Sequence, residues 1–563
     1  MIANPARSSG CDIRTVVHVA REYGGLAGAG GIKDVVEGLA RATAAAGIET
    51  YVFLPYYHVV EGTIVRNPRL KPVERCSFAV PMNYVGENRT ESVAIHSCEL
   101  QPNLTICLIH SRRYRFLFEK GGTIPRTGIY TYTKDEADAL GLPDRKGKGY
   151  FDFFAMNVLL VKATLHALAE LGLRPDVIHC HDGHAALLPA IAHASTERIA
   201  PYLRHVPTVI TVHNAGIGYH QEVGDLEFAS AICGIPAAVV DGCLLDGSFD
   251  PLLAGALFGS VINTVSENYA RELQATGDDW RTGWFGHALA ARGIRLLGVT
   301  NGIDAESFDP GRPAELGLAA AFSPRTGDIE GKRACKEAAA AFMNRQTVPD
   351  DVPAEARAGF AFCGTLSKHS DVPLLSFIGR LDEQKGYDVL ADAVDLLFAE
   401  DHDVQLIGLG SGDPRIEARF KCLTEKFPGR IAIAIGYSPR LANMIYAAGD
   451  FFVVPSRFEP CGLTDFFAQL MGNVPIVHGV GGLVKVVDGH LGFSYLGGAP
   501  ELLAALRRAL AVYREPGQGR LRRIQMAAVE NIYSNFTWER VLDKKYMPIY
   551  REAACRMKPT LPS

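Results

Sequence analysis

The sequence predicts an α/β protein with two doubly wound halves, each built around a mostly parallel sheet. Apolar β-branched runs of strand length alternate with segments of helix length on both sides of residues 305–372. The chain of 563 residues also exceeds the roughly 250–300 residues at which single hydrophobic cores stop growing. Because such sheets bind ligands at the carboxyl ends of their strands, we expect the active site in the cleft between the halves.

The bulk composition is that of an ordinary globular protein. Hydrophobic residues make up 48% and charged residues 21%, and the net charge of −5 gives no electrostatic case for binding nucleic acid or an anionic membrane. No run approaches the roughly 18 apolar residues of a membrane span, and no signal peptide is evident. The 12 cysteines form no CxxC pair, which suits reduced thiols, so we expect a cytoplasmic protein.

The first half, assigned to residues 1–304, opens with a βαβ unit. Its connecting loop contains Gly30-Gly31, where a ligand phosphate can approach the backbone. Residues 76–110 hold three apolar runs without helices between them and predict a β-meander or hairpin addition. Residues 112–149 show no clean period, so we expect a long loop or lid. The other predicted elements of this half are strands at 14–20, 50–55, 176–181, 208–213, 261–265 and 296–299 and helices at 32–46, 150–171 and 185–194.

The tetrad His179-Cys180-His181-Asp182 resembles a metal-binding cluster at first sight. Its residues alternate between the two faces of a predicted strand end, however, so their side chains do not all point toward one ion. We therefore expect no metal at this position.

Residues 305–372 interrupt the α/β rhythm with an alanine-rich helix and a Pro/Asp/Ala-rich stretch, and we assign them to a linker or insertion. The second half, residues 373–535, resumes the βα series. We expect the last helix, within residues 536–563, to cross back to the first half. The predicted elements here are strands at 374–379, 404–408, 431–436, 451–455 and 475–479 and helices at 387–397, 415–427, 440–448, 463–471, 501–513, 521–535 and 538–554.

The stretch at 451–483 carries the clearest chemical signal. A buried strand leads to Glu459, and Gly462 to Thr464 lie at a helix start, where backbone amides and the positive helix end bind phosphate. Gly481-Gly482 forms a second small-residue loop at the same edge. A carboxylate beside a phosphate-ready helix start suits a ligand with hydroxyls and phosphates, such as a nucleotide sugar. The alternative is a core strand with a structural turn.

Several segments together resemble the bacterial glycogen synthase and plant starch synthase family. They lie in family order and include GGIKDVVEGLA (30–40), DVIHCHDGHAALLP (176–189), PTVITVHN (207–214), VTNGID (299–304), LSFIGRLDEQKG (375–386) and PSRFEPCGLT (455–464). The resemblance implies the GT-B fold, with two facing Rossmann-like domains and the active site in the interdomain cleft. It also implies retaining transfer of glucose from ADP-glucose or UDP-glucose to the non-reducing end of an α-1,4-glucan, without metal or other cofactor.

The resemblance also assigns site residues. A leaving nucleoside diphosphate needs its charge neutralised, and Arg380 and Lys385 match the family's phosphate-binding pair. Glu459 matches the glutamate that contacts the donor sugar, and His213 with Asn214 matches the pair beside the transferred glucose. The implied catalytic residues are His213, Asp182, Glu459, Arg380 and Lys385. The implied donor-binding residues are Gly30, Gly31, Lys33, Asn214, Asn301, Arg380, Lys385, Tyr437, Glu459, Cys461, Gly462, Leu463, Thr464, Gly481 and Gly482.

One departure concerns the family signature Lys-x-Gly-Gly-Leu, whose lysine contacts the donor phosphates. Aligning its double glycine on Gly30-Gly31 places Gly28 at the lysine position, and aligning it on Gly24-Gly25 places Glu22 there. Lys33 or Arg21 could reach into the same space, and we expect Lys33 to substitute for the missing lysine.

Two alternatives stay open on sequence alone. One is a GT-B glycosyltransferase with a different acceptor, and the other is a catalytically weak glucan-binding homologue, motivated by the missing lysine. The expected partners are a nucleotide sugar and an α-glucan, with no nucleic acid and no membrane. Homo-oligomerisation and the choice between ADP and UDP are left open.

Overall fold

The computed structural model describes residues 12–67, 70–119, 122–367 and 371–556. The chain divides into two compact units: unit 1 comprises residues 1–302 and 538–563, and unit 2 comprises residues 303–537. The segment 305–372, predicted as a linker or insertion, is thus grouped with unit 2.

Unit 1 is built on a nine-stranded sheet with the order β13-β12-β9-β8-β1-β2-β5-β4-β3, in which the strands from β13 to β5 are parallel. The last two strands, β4 and β3, form the antiparallel addition predicted for residues 76–110. The strands are β1 (Thr15–Val19), β2 (Glu49–Pro55), β3 (Val73–Pro81), β4 (Thr90–Gln101), β5 (Leu104–His110), β6 (Phe116–Glu119), β7 (Gly122–Pro125), β8 (Val177–His181), β9 (Thr208–Val212), β10 (Leu244–Leu245), β11 (Ser248–Phe249), β12 (Val261–Thr264) and β13 (Leu296–Gly298).

Helices flank this sheet. They are α1 (Ile32–Ala45), α2 (His58–Arg66), α3 (Arg112–Arg115), α4 (Lys134–Ala139), α5 (Phe153–Glu170), α6 (Asp182–Ala186), α7 (Leu188–Ala194), α8 (Leu226–Cys233), α9 (Ala237–Gly242), α10 (Pro251–Phe258), α11 (Glu267–Ala275) and α12 (Phe285–Ala291). Helix α5, with 18 residues and a mean hydropathy of 1.3, has the length and composition of a membrane span, contrary to the expectation that no such run exists. Since 78% of it is buried inside the protein, against β1 to β3 and against α6 and α7, it is a core helix.

Residues 112–149 do not form the predicted long loop or lid. They contain α3, the β6–β7 hairpin and α4, joined around buried charged groups. The Glu136 carboxylate accepts hydrogen bonds from the Thr133 amide at 2.8 Å and the Tyr150 hydroxyl at 3.0 Å. The Arg126 guanidinium donates to Asp152 at 3.0 Å. A segment fixed by buried polar side chains carries little hydrophobic periodicity, which explains why the pattern did not predict its elements.

Unit 2 is built on a seven-stranded sheet with the order β14-β17-β16-β15-β18-β19-β20, parallel except for the edge strand β14. The strands are β14 (Ala361–Leu366), β15 (Leu374–Ile378), β16 (Gln405–Gly410), β17 (Arg430–Ile435), β18 (Phe451–Val454), β19 (Val474–His478) and β20 (Phe493–Tyr495). The helices are α13 (Pro313–Leu316), α14 (Glu330–Arg345), α15 (Ala354–Arg357), α16 (Tyr387–Glu400), α17 (Pro414–Lys426), α18 (Pro439–Ala448), α19 (Thr464–Leu470), α20 (Ala499–Tyr513) and α21 (Gly519–Asn535).

The predicted linker is an integral part of unit 2. Its helix α14 buries two lysines, which hydrogen-bond to the rest of the unit: Lys336 Nζ donates to Asp450 at 2.7 Å, and Lys332 Nζ donates to the carbonyls of Ala447 and Met471 at 2.9 Å. Strand β14 pairs along its length with β17.

The end of the chain completes the core of unit 1. Helix α22 (Trp538–Val541), a π-helical turn at Leu542–Tyr546 and helix α23 (Met547–Cys555) follow one another. Trp538 packs in a core cluster with residues of β1 and α1. A Cβ atom on Gly38 would lie only 1.9 Å from the Trp538 indole nitrogen, so glycine is required where α1 meets this ring.

Candidate functional site

The predicted site residues lie at the carboxyl edges of the two sheets. In unit 1, β1, β8 and β9 end just before Glu22, Asp182 and His213. In unit 2, four of the parallel strands, β15, β17, β18 and β19, end shortly before Arg380, Tyr437, Glu459 and Gly481 respectively. Because parallel strands end at one edge, each sheet collects its own set of polar groups there.

The centre of the unit 2 set is an ion pair between the partly exposed Lys385 and the buried Glu459. Lys385 Nζ donates to Glu459 Oε2 at 2.7 Å, and the Ser456 hydroxyl donates to the same oxygen at 2.9 Å. Burial alone would raise the pKa of Glu459, but the charge and hydrogen bond of Lys385 outweigh it, so the pKa lies below its usual value. Glu459 is therefore an ionised carboxylate with one face held by a cation.

Arg380 follows β15 as an exposed cation. Its side chain is 63% exposed, and its nearest carboxylate is Asp382 at 3.4 Å. The other carboxylate oxygen of Asp382 accepts a hydrogen bond from the Lys385 amide at 2.8 Å. One aspartate thus orders the turn that separates the two predicted phosphate-binding cations.

The two glycine loops of unit 2 meet backbone to backbone. The Gly482 amide donates to the Glu459 carbonyl at 2.9 Å. A Cβ on Gly481 would lie 2.0 Å from the Glu459 carbonyl oxygen, and a Cβ on Gly482 would lie 2.0 Å from that of Cys461. Glycine at both positions is therefore a steric condition for the placement of Glu459.

Lys485 is a site residue that the sequence did not reveal. Its Nζ donates to the carbonyls of Cys461, Gly462 and Gly482 at 2.7, 2.8 and 3.2 Å. It also lies 3.1 Å from Asp465, in the first turn of α19. Burial raises the pKa of Asp465 to about 6, and Lys485 opposes that rise. Lys485 therefore connects the two glycine loops through their carbonyls. Its charge also partly neutralises the Asp465 carboxylate, which lies at the helix start predicted to bind phosphate. A lysine just after Gly481-Gly482 was the available signal.

The other predicted donor residues of unit 2 lie close behind the ends of β17 and β18. Helix α19 begins at Thr464 with Leu463 at its N-cap, so the amides of Gly462 to Thr464 lie near the helix start as expected. Cys461 is buried, with its carbonyl bound to Lys485. Tyr437 presents a ring that is 74% exposed after β17. Binding by these residues stays a prediction.

In unit 1, Asp182 organises the end of two strands. Its backbone is left-handed, with φ 57°, a conformation that costs a non-glycine residue of order 1 kcal/mol or more. Its Oδ1 accepts from the His213 amide at 2.6 Å, while the buried Oδ2 has no partner within the residues described. Burial raises the pKa of Asp182 to about 7. The aspartate thus fixes the backbone of His213 through Oδ1, and its Oδ2 has no hydrogen bond within the described residues.

Behind His213 lies a row of buried histidines. His213 Nε2 lies 3.0 Å from His181 Nδ1, and His181 Nε2 lies 3.1 Å from His18 Nδ1. Burial lowers the pKa of His18 and of His213 to about 3, and it lowers the pKa of His181 well below its usual value. His18 was missed on sequence because it lies more than 160 residues from its partner.

The histidines raise the question of a metal again. His18, His179 and His181 offer nitrogens within 4.8 Å of one another, so the expectation that strand alternation separates them is wrong for His179 and His181, which share a face. Their rings are stacked at 4.3 Å with planes 25° apart. A metal lies in the plane of each imidazole that binds it, so these stacked rings do not suit one ion. Both nitrogens of His179 also contact hydroxyls, those of Thr211 and Tyr550.

The glycine loop after β1 differs from the prediction that its amides are open to phosphate. Glu22 Oε2 accepts from the amides of Ala29 and Gly30 at 2.7 and 3.0 Å, and Tyr130 donates to the other oxygen at 2.8 Å. An internal carboxylate thus occupies the Gly30 amide, while Gly31 caps the start of α1.

The side chain of Lys33 lies next to Gly28, the position at which the family has its lysine. A Cβ on Gly28 would lie 2.1 Å from Lys33 Cδ, so the lysine stem covers this glycine, and its Nζ pairs with Asp34 at 2.7 Å. Arg21, the other candidate, is 2% exposed and donates to Tyr57 and Asn157 at 2.9 and 3.2 Å. Arg21 is therefore a structural group, and that alternative is wrong.

The two asparagines of unit 1 that were predicted to bind the donor differ in their surroundings. Asn214 Oδ1 accepts from the Gly216 amide at 2.8 Å and shapes the turn after His213. Asn301 is buried, and its Oδ1 has no partner in the described part of the chain. A buried oxygen without a donor is a feature of binding sites, and a role for Asn301 toward the donor stays a prediction.

Comparisons with known proteins cover nearly the whole chain. The family model of the starch synthase catalytic domain matches residues 15–290, and that of glycosyl transferases group 1 matches residues 372–511. The glycogen synthase of Lactiplantibacillus plantarum is 30% identical over 512 residues, which cover 89% of this chain and 92% of the relative. That of Anaeromyxobacter dehalogenans is 32% identical over 552 residues, which cover 96% and 99%.

Solved structures are similar over the same length. The catalytic domain of starch synthase IV from Arabidopsis thaliana, bound to ADP and acarbose, matches with a TM-score of 0.71 and 23% identity, covering 97% of this chain and 100% of that one. Sucrose-phosphate synthase from Thermosynechococcus elongatus matches with a TM-score of 0.52 and 16% identity, covering 95% and 99%.

Proposed function

This chain belongs to the glycogen synthase and starch synthase family of glycosyltransferases, and we propose that it transfers glucose from ADP-glucose to the non-reducing end of an α-1,4-glucan with retention of configuration. Its fold is GT-B, with two Rossmann-like units. ADP-glucose is the first choice of donor because the similar starch synthase IV binds ADP. UDP-glucose is the second.

The Lys385–Glu459 pair is the observation that carries this proposal. Retaining transfer passes through a transition state with positive charge at the anomeric carbon and growing negative charge on the leaving diphosphate. An ionised Glu459 stabilises the first charge through the sugar, and Lys385 with the exposed Arg380 stabilises the second. Side chains at one sheet edge thus stabilise both transition-state charges.

Asp182 has a different role in this scheme. Its Oδ1 already accepts from the His213 amide, and burial raises its pKa to about 7, so that about half of it is protonated at neutral pH. A carboxyl that is half protonated and holds a backbone amide is a poorer nucleophile than a free carboxylate. This favours attack by the acceptor on the same face as the departing diphosphate, whose oxygen takes the proton. Asp182 then positions the backbone of His213 beside the glucose.

A direct assay tests the proposal. Radiolabelled ADP-glucose and UDP-glucose are each offered with glycogen and with maltose, and label is counted in the polymer before and after digestion by an α-1,4-specific exoglucanase. We expect label from ADP-glucose in glycogen, released by digestion and absent with the Lys385→Ala variant. Transfer only to another acceptor would indicate the first alternative, and glycogen binding without transfer would indicate the second.

A further inference from the structure

We propose that His18 is a positioning residue that sets the tautomer of His213 through His181, so that His213 presents an Nδ1–H to the substrate. The role for His213 beside the glucose rests on the proposed function. The tautomer itself follows from contacts within unit 1.

The contacts form one continuous row. His18 on β1, His181 at the end of β8 and His213 after β9 come from three adjacent strands of the sheet. Each neighbouring pair joins an Nδ1 to an Nε2, at 3.1 and 3.0 Å. The only hydrogen bond of the His213 ring within the described residues is the one to His181, which leaves Nδ1 for a ligand.

Each ring in the row carries a single N–H. His18 and His181 are completely buried and His213 nearly so, and no carboxylate hydrogen-bonds to any of the three rings within the described chain. Burial without a counter-charge disfavours the imidazolium form. A neutral imidazole has one donor and one acceptor nitrogen, so the direction of one hydrogen bond dictates the direction of the next.

The inner end of the row decides between the two directions. His18 Nε2 is buried and has no hydrogen-bond partner in the part of the chain that the structure describes. If the row ran inward, this nitrogen would carry a buried N–H without an acceptor, which is rare in native proteins. If it runs outward, His18 Nδ1 donates to His181, and His181 Nδ1 donates to His213 Nε2. The proton of His213 then stands on Nδ1.

His179 offers a matched control in the same core. It is equally buried and stacks on His181, yet it has no hydrogen bond to the row. The Thr211 hydroxyl donates to Asn263 at 2.9 Å, so Thr211 accepts from His179 Nε2, and Tyr550 donates to His179 Nδ1. Replacing His179 therefore disturbs packing without removing a donor from the row.

The test uses the full chain labelled with ¹⁵N-histidine. Long-range ¹⁵N–¹H spectra distinguish protonated from unprotonated ring nitrogens, and His213 is assigned by its loss in His213→Gln. In the wild type we expect a protonated Nδ1 on His213. In His18→Leu, which removes the donor to His181, we expect a mixture of both tautomers. In His18→Asn, whose amide can donate from the position of Nδ1, we expect the wild-type pattern to return.

Kinetics supply a second readout. His18→Leu should lower kcat by roughly tenfold or more, because a catalytic imidazole in the wrong tautomer is ineffective. The KM for the donor should stay within about twofold of the wild-type value. His18→Asn should recover most of kcat. His179→Leu should lower Tm without changing the His213 signals. A protonated Nε2 on wild-type His213, an unchanged tautomer in His18→Leu, or stoichiometric metal bound through His18 would overturn the proposal. The spectra remain decisive even if the chain transfers no glucose.

Discussion

Lys33 occupies the space above Gly28, and this contact makes its predicted role testable. A lysine at position 28 and the native Lys33 cannot share that space, since Cδ of Lys33 would lie 2.1 Å from the new Cβ. On the hypothesis that Lys33 replaces the missing family lysine, we expect Lys33→Ala to lower kcat by about tenfold or more. The donor Kd should change little, because the predicted donor residues are mainly in unit 2.

The double variant gives this prediction its sharpest form. Gly28→Lys should restore part of kcat in the Lys33→Ala background, because the Lys33 side chain no longer covers position 28. The same substitution should not improve the wild type, in which the Lys33 side chain is present. Lys71→Ala, an exposed lysine of the same unit, serves as the control in steady-state and donor-binding assays. Wild-type turnover in Lys33→Ala would end the idea.

The two cations of unit 2 carry a prediction at the same scale. Arg380→Ala and Lys385→Ala should each lower kcat by about 10²–10³-fold, the usual effect of losing one group that stabilises transition-state charge. Affinity for glycogen should change little. Arg415→Ala is the matched control, because its side chain is 78% exposed and paired with Asp413. Near-normal kcat in both test variants would contradict the proposed donor site.

At the residue scale, the candidate site residues named from the sequence are those that lie in short linear motifs, and the structure brings two of them, Lys385 and Glu459, into contact. Glu459 and Lys385 belong to segments whose spacing alone sets their place on a strand-to-turn connection. His18 acts through a contact to a residue 163 positions away, which no local pattern encodes, whereas Lys485 had a local signal in its place just after Gly481-Gly482. Glu22 illustrates a third case, because a carboxylate bound to loop amides resembles any solvent-exposed glutamate in sequence.

At the element scale, the two glycine loops of unit 2 behave as one structure. Gly481 and Gly489 both have positive φ, 49° and 72°, but a Cβ on Gly481 would meet the Glu459 carbonyl at 2.0 Å while nothing lies within 4 Å of one on Gly489. Gly481→Ala should therefore displace Glu459 and lower kcat by about tenfold or more. Gly489→Ala should cost only about 1 kcal/mol of stability, from its backbone strain.

Kinetics and thermal melts of the two variants separate these effects. A larger loss of stability in Gly481→Ala than in Gly489→Ala, with activity lost only in Gly481→Ala, supports the steric account. Full activity in a folded Gly481→Ala would show that the loop tolerates a shift and that Glu459 is not placed by this contact.

Helices and strands whose apolar residues recur with a regular period were predicted correctly from the sequence, and elements without such a period were not. The predicted helix at 32–46 and strand at 50–55 agree with α1 and β2 to within a residue. Helix α14, in contrast, buries two lysines whose Nζ atoms bind carbonyls and a carboxylate. Lysines normally mark a solvent-exposed face, so the pattern of this helix suggested a linker rather than an element of the core.

At the scale of the whole molecule, the buried imidazoles make unit 1 sensitive to acid. Their folded pKa values lie below the ordinary 6.5, so the unfolded chain binds more protons and stability falls as pH drops below 6.5 toward 3. Each such group contributes a slope of about 1.4 kcal/mol per pH unit. The groups are His18, His179, His181, His184 and His213.

Urea titrations at a series of pH values check this prediction. Asp182, whose pKa is raised to about 7, and Glu197 and His220, whose pKa values are also raised, act in the opposite direction in this unit but are fewer than the five imidazoles. All 3 tryptophans belong to unit 1, so their fluorescence follows that unit. We expect the urea concentration at the unfolding midpoint to decrease as the pH is lowered from 6.5 to 5. A midpoint that stays constant or increases over this range would contradict the presence of buried, neutral histidines.

The return of α22 and α23 to the first unit also has a consequence for synthesis on the ribosome. The core that holds β1 and α1 is completed by side chains as late as Ala553, so the first 302 residues emerge long before their last packing partners. At about 5–20 residues per second, the intervening 250 or so residues take on the order of 12–50 s to make. During that interval unit 2, which is continuous in sequence, is free to fold first. The nascent amino-terminal sheet meanwhile exposes an apolar face that a chaperone could cover.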